Sequence, residues 1–212
     1  MTIFPDVPRD VLQSAAADPA SPAWKTIWEA SCHQGTCFPA SALLLPWLAQ
    51  TCAAFSAQER EEALALAGFI AVDATDADRA AYAREISALR TLAIESLRNA
   101  STDTMFVYLQ QAVLGFDCDE VWAKELDRIN DGEVDVQCPE CEEELVVDLT
   151  SDDPLIKPGL SSALAVRLHA EAIRATRSNV ATMLQRLFGQ LACPGCDTLF
   201  PVADHLAGVS YE

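Results

Sequence analysis

Residues 132–141 read Gly132-Glu133-Val134-Asp135-Val136-Gln137-Cys138-Pro139-Glu140-Cys141, and the character of the chain changes there. Upstream, apolar residues recur every three or four positions. Here they alternate, as in a strand with one buried face. The strand runs into a Cys-Pro-x-Cys pair, and the spacing returns as Cys193-Pro194-Gly195-Cys196. Two residues between cysteines let both thiolates reach one ion from a tight turn whose amides can hydrogen-bond to the sulfurs. Each pair lies between apolar stretches: Val134 and Val136 before and 145–147 after the first, Leu191 and Ala192 before and 199–202 after the second. Two knuckle-bearing hairpins facing each other make a four-cysteine zinc ribbon, with Cys138, Cys141, Cys193 and Cys196 as ligands of one Zn2+. Four thiolates leave no open coordination position, so the expected role is structural. A redox dithiol would need a helix N-terminus in a βαβ setting, which neither pair has.

The pairs are separated by 51 residues, where a simple ribbon uses roughly 15–20. Residues 150–159 read as a loop carrying Pro154, Pro158 and Gly159, and 161–190 as a helical insertion that Ser178-Asn179 could split. The expected organisation is an N-terminal segment 1–22, a helical domain 23–131 and a zinc-ribbon module 132–212.

Residues 23–130 are helical in pattern. Trp24, Ile27 and Trp28 mark a first helix that Gly35 stops. Leu44, Trp47, Leu48, Cys52 and Phe55 stripe a second over 39–55, with Pro46 expected to bend it. Ser56 and Glu59 form a capping box, and the apolar run 63–72 predicts a helix covered on two sides. Thr75 and Asp78 open the next, striped by Tyr82, Ile86, Leu89, Ala93 and Leu97. Phe106, Leu109, Val113 and Phe116 follow, then a short helix through Trp122. The longer helices, about 15–24 residues each, with short connections, suggest stacked hairpins.

Charge narrows the partners. The 212 residues carry 14 Lys and Arg against 32 Asp and Glu, a net −18. Phosphate backbones and anionic membranes prefer the opposite sign. Residues 117–153 hold 15 acids and two bases, a local −13. Only the arginines of 151–192 keep a nucleic-acid-binding ribbon in view, as the weaker reading. The start of the chain has no signal-peptide pattern and no apolar run is long enough for a bilayer, so a cytoplasmic protein is expected. In that compartment cysteines read as metal ligands or small hydrophobes before disulfides.

The string Ser31-Cys32-His33-Gln34-Gly35-Thr36-Cys37 supports two further readings. As a helix end, Cys32 and Cys37 are buried small hydrophobes, while His33 and Gln34 bond exposed carbonyls. As chemistry, Cys32, His33 and Cys37 line an enzymatic or small-molecule site, or join Cys52 in a second metal site. Cys118, His169 and His205 carry no expected role.

Residues 28–36, with Ala40-Ser41 and Leu45-Pro46-Trp47-Leu48, resemble the opening of a group of uncharacterised bacterial HEAT-like helical-repeat proteins whose later sequence carries a Cys-Pro-x-Cys knuckle. The chain departs from them at Trp47. The resemblance implies helical hairpins and a protein-binding role, with no catalytic residues. The expectation is a mainly α protein of HEAT-like hairpins plus a zinc ribbon. It would act without catalysis on a basic protein through the acidic stretch 117–153, as an immunity-type or regulatory partner.

Overall fold

The computed structural model describes residues 7–33 and 35–209. The chain divides into two compact units, Met1–Leu126 and Asp127–Glu212. It is mainly helical, with small antiparallel sheets.

In the first unit α1 (Arg9–Ala17) packs on α2 (Ala23–Ser31). The chain then makes a hairpin of two-residue strands, β1 (Cys32–His33) and β2 (Thr36–Cys37). A 3-10 helix, Pro39–Leu44, leads into α3 (Leu45–Ala54). One bent helix is the expectation over 39–55. Instead Pro46 stands in the first turn of α3. Its missing N–H has no intrahelical partner to lose there, so the proline starts the helix rather than kinking it.

The Ser56 capping box forms, with the Ser56 N–H donating to the Glu59 carboxylate at 3.0 Å. After one further turn comes α4 (Glu61–Asp73). Every residue from Ala63 to Val72 except Phe69 is buried, as its all-round apolarity requires. The helix expected from Thr75 is two: α5 (Asp76–Ala81), capped by the Thr75 hydroxyl, and α6 (Ala83–Leu97), with the break at Tyr82. Next come α7 (Asp103–Phe116) and α8 (Trp122–Glu125). At 15 residues α6 is the longest helix among the described residues, so the helices are shorter than expected. Caps and the Tyr82 break divide what periodicity alone runs together.

The centre of this unit is α4 against α7, with α6 on both. Glycine sets the closeness. A Cβ at Gly68 would run into the Cα of Ala112, and one at Gly115 into the carbonyl of Gly68. Arg60 and Glu61 fasten the start of α4. The buried Arg60 guanidinium donates to Ser96 Oγ (2.9 Å) and to Glu95 (3.0 Å), and Glu61 accepts from the Ser101 amide (2.8 Å). Trp24 lies tilted on Trp47 at 5.5 Å, and Trp28 meets Phe69 edge-on at 5.7 Å.

The second unit begins with the 3-10 turn ending at Asp131. Gly132, at φ +78°, turns the chain into β3 (Glu133–Gln137), which pairs antiparallel with β4 (Glu144–Asp148). Val134 faces Val147 and Val136 faces Leu145. A second sheet has the order β5 (Ile156–Lys157), β6 (Gln190–Ala192), β7 (Leu199–Pro201). The expected loop 150–159 therefore contains a strand, because Ile156 is buried and pairs with Leu191. Between β5 and β6 stand α9 (Ala163–Arg174) and α10 (Ser178–Leu187), packed on each other. The break expected near Ser178 falls at Thr176, which takes φ +57°.

Gly68→Val should destabilise the protein by about 2–3 kcal/mol, because overpacking the α4–α7 contact outweighs any helix-propensity gain. Urea unfolding monitored by circular dichroism measures it.

Candidate metal centre

Each cysteine pair sits in a turn at the tip of a hairpin, and the two turns are built alike. Cys138 follows β3 directly, and Cys193 follows β6. The Cys138 N–H donates to the Glu143 carbonyl and the Cys193 N–H to the Thr198 carbonyl, both at 2.9 Å. The Glu142 N–H returns to the Cys138 carbonyl at 3.0 Å, and the Asp197 N–H to the Cys193 carbonyl at 2.9 Å. Glu142 and Asp197, each just after the second cysteine of its pair, both take φ +60°. Glycine is the usual occupant of such a position. Here an acid holds it twice.

The four sulfurs converge. Cys138 Sγ is 3.7 Å from Cys196 Sγ, Cys141 Sγ is 3.6 Å from Cys193 Sγ, and all four lie within 4.8 Å of one another. Four sulfurs each about 2.3 Å from an ion at the centre of a tetrahedron stand about 3.8 Å apart. The closest pairs match that edge, and no other group of three or more metal-ligating side chains gathers among the described residues. The cluster fits a metal ion in spacing and in donor type. Cys138 and Cys193 are buried; Cys141 and Cys196 face outward.

The thiols are unlike one another. The hydroxyl and amide of Thr198 draw Cys196 down to about 7. The Glu143 amide pulls on Cys141, but Cys196, desolvation and the other two sulfurs outweigh it and push that thiol up to about 12. Desolvation raises Cys193. A soft metal replaces those protons, so binding weakens as pH falls. Glu143 reaches across to the second turn, 3.7 Å from Cys193 Sγ.

The insertion is tied down at the end of the β3–β4 hairpin away from its cysteine turn. The buried Arg186 of α10 donates to the Leu149 carbonyl at 2.7 Å and pairs with Asp152. His205 packs its ring edge-on against Phe200 at 5.3 Å and gives its carbonyl to the Gln137 amide at 3.0 Å.

The other cysteines part company. Cys32 and Cys37 face each other across β1 and β2 and form a disulfide. This corrects the reading of both as reduced hydrophobes at a helix end. Cys37 is buried all the same, at 4 % exposure. The four-residue spacing around Gly35 was the signal: it puts two cysteines opposite each other on a short hairpin. The Cys37 amide donates to Asp73 at 2.7 Å, and Asp73 also pairs with Lys124. Gln34 lies outside the described residues, so its expected carbonyl bond is not placed. Cys52 is fully buried, its thiol pushed up to about 12 by desolvation. It does not join Cys32, His33 and Cys37 in a metal-ligating group. Cys118 is exposed, at φ +66°, with the Arg79 guanidinium on its sulfur.

No protein-family model matches the chain, and no curated protein or solved structure matches it.

Three outcomes follow for the cysteines. Denatured in a strong chelator without reductant, the protein should titrate six thiols with a disulfide reagent, rising to eight after reduction. Cys141→Ser should lower metal content below one ion per chain in native mass spectrometry, and acidification should release the metal from the unsubstituted protein.

Proposed function

We propose that the chain is a non-enzymatic, zinc-centred interaction protein that binds a basic protein partner. In this reading Cys138, Cys141, Cys193 and Cys196 hold one structural Zn2+. The two hairpins form a ribbon split by α9 and α10, and the first unit is built of HEAT-like hairpins. The donor set supports zinc: four soft thiolates in a closed tetrahedron stabilise a fold and activate no substrate. The ion would supply only cross-linking of the two turns, at the expense of unfolded chain freedom.

The observation that carries the interaction role is the outward face of β3 and β4. Its side chains are Glu133, Asp135 and Gln137 on one strand and Glu144, Val146 and Asp148 on the other, all exposed. Glu133 stands directly opposite Asp148. Like charges opposite each other cost stability, and a cationic partner removes that cost. The hydroxyl and amide of Thr150 hold the Asp148 carboxyl down at about 2, so this acid stays ionised through ordinary pH. The same face repels phosphate, which disfavours nucleic acid.

No helix among the described residues is long and apolar enough to cross a membrane. The reading includes a cytoplasmic location, a compartment in which the four ligand thiols would stay reduced. The partner is of the kind an immunity-type or regulatory protein masks: a cationic surface whose encounter is speeded by long-range attraction.

Association with a basic protein partner, followed by stopped flow, should slow about tenfold or more from low to physiological salt. Asp135→Lys should reduce that salt dependence. A rate indifferent to both salt and this substitution would sink the proposal.

A further inference from the structure

The register of β3 and β4 fixes where their backbone groups point. Cys138 donates to Glu143, and Leu149 donates to Gly132 at 2.8 Å. Pairs two residues apart along an antiparallel ladder share the same hydrogen-bonding state. Between those two ends, Val136 with Leu145 and Val134 with Val147 therefore exchange the inward bonds. Glu144, Val146 and Asp148 turn their N–H and C=O groups the other way, out of the sheet edge.

The two outer edges of this sheet differ. On the β3 side, the Gln137 N–H donates to His205, Ala207 donates to the Asp135 carbonyl at 2.8 Å, and Val136 bridges to Leu206. That edge is covered by the residues after β7. On the β4 side, the outward amides of Glu144, Val146 and Asp148 have no backbone partner among the described residues. Val146 is 64 % exposed, the highest value among the large hydrophobic residues described. The strand has no proline, glycine or lysine to blunt it.

We propose that β4 is the docking edge for an extended cationic segment, which adds to the sheet as a further strand. The inference rests on the proposed binding of a basic partner and names the form that partner takes. Backbone bonds to residues 144, 146 and 148 supply affinity, as in other strand additions. Lys or Arg side chains at alternate positions of the incoming strand share the face of Glu144, Val146 and Asp148, with the cations against the two acids and an aliphatic stem along Val146, while the residues between them turn to the opposite face. The charges choose the occupant. A second copy of β4 would bring acids against acids on a chain of net −18, so the edge rejects self-pairing while staying open to a cation. Edge charges protect strands from aggregation in this way; here they also select.

The test uses the full-length, metal-loaded protein and two synthetic nine-residue peptides of alternating Lys and Val. In one peptide the amides of every second residue are N-methylated, so that side chains and charge are kept while one hydrogen-bonding edge is lost. Fluorescence anisotropy should show the unmodified peptide binding about tenfold or more tighter than the methylated one. Hydrogen exchange should slow at Glu144, Val146 and Asp148 when the unmodified peptide is bound. Val146→Pro removes the central outward donor without touching the ladder to β3, since that N–H points away from it. It should weaken the peptide about tenfold, with exchange protection of the Val134 and Val136 amides confirming the fold. Equal binding of both peptides with no new protection at the three amides overturns strand addition and leaves the charge-based reading standing. Absence of binding by either peptide at low salt overturns both.

Discussion

Four sulfur atoms drawn from two turns, 51 residues apart in the chain, meet within 4.8 Å, and the second unit is arranged around that meeting. Loop closure is less demanding than the separation suggests. Its cost grows only with the logarithm of length, so 51 residues in place of roughly 15–20 add about 1 kcal/mol. The inserted residues also do not stay loose. Its two ends are held together where β5 pairs with β6. α9 and α10 pack as a hairpin between those strands, and Arg186 binds the Leu149 carbonyl. The second turn is thus delivered to the first by ordered structure.

The same logic of anchored ends runs through the first unit. Arg60, Glu61 and Ser96 are buried polar groups there that sit at helix termini, where backbone donors need partners, whereas Gln110 and Gln111 are buried within α7. Glu61 takes the Ser101 amide just before α7, and Thr102 caps α7 through the Met105 amide. Between these ends Gly68, Ala112 and Gly115 let α4 and α7 approach so closely that a Cβ at either glycine would meet the other helix's backbone.

Much of this was legible in the sequence. Period identified α4, α7 and the strands β3 and β4, since each buries one face or all faces of a single element. The two-residue cysteine spacing identified the four residues that converge, because local turn geometry alone brings such a pair together. Features decided by tertiary packing were not legible. Whether Pro46 bends a helix or begins one depends on where the preceding residues tighten into 3-10 winding. β5 is two residues long, too short for any alternation, and exists only because Ile156 meets Leu191. The Cys32–Cys37 bond was hidden by assigning the cysteines to a helix end, although Gly35 between them allowed the reversal. The left-handed backbone of Glu142 and Asp197 had no signal in residue type, since neither is glycine.

The acids around the first turn have a consequence for exchange kinetics. Glu140, Glu142 and Glu143 flank Cys141, and Asp197 follows Cys196. A divalent ion held by four thiolates leaves two negative charges, which those carboxylates surround with more. Competing ligands must approach through that field. With an ion in place, anionic chelators and thiolate reagents would be slowed relative to neutral or cationic ones. The lifetime of an ion held there would depend on the charge of its challenger as well as on the strength of its bonds.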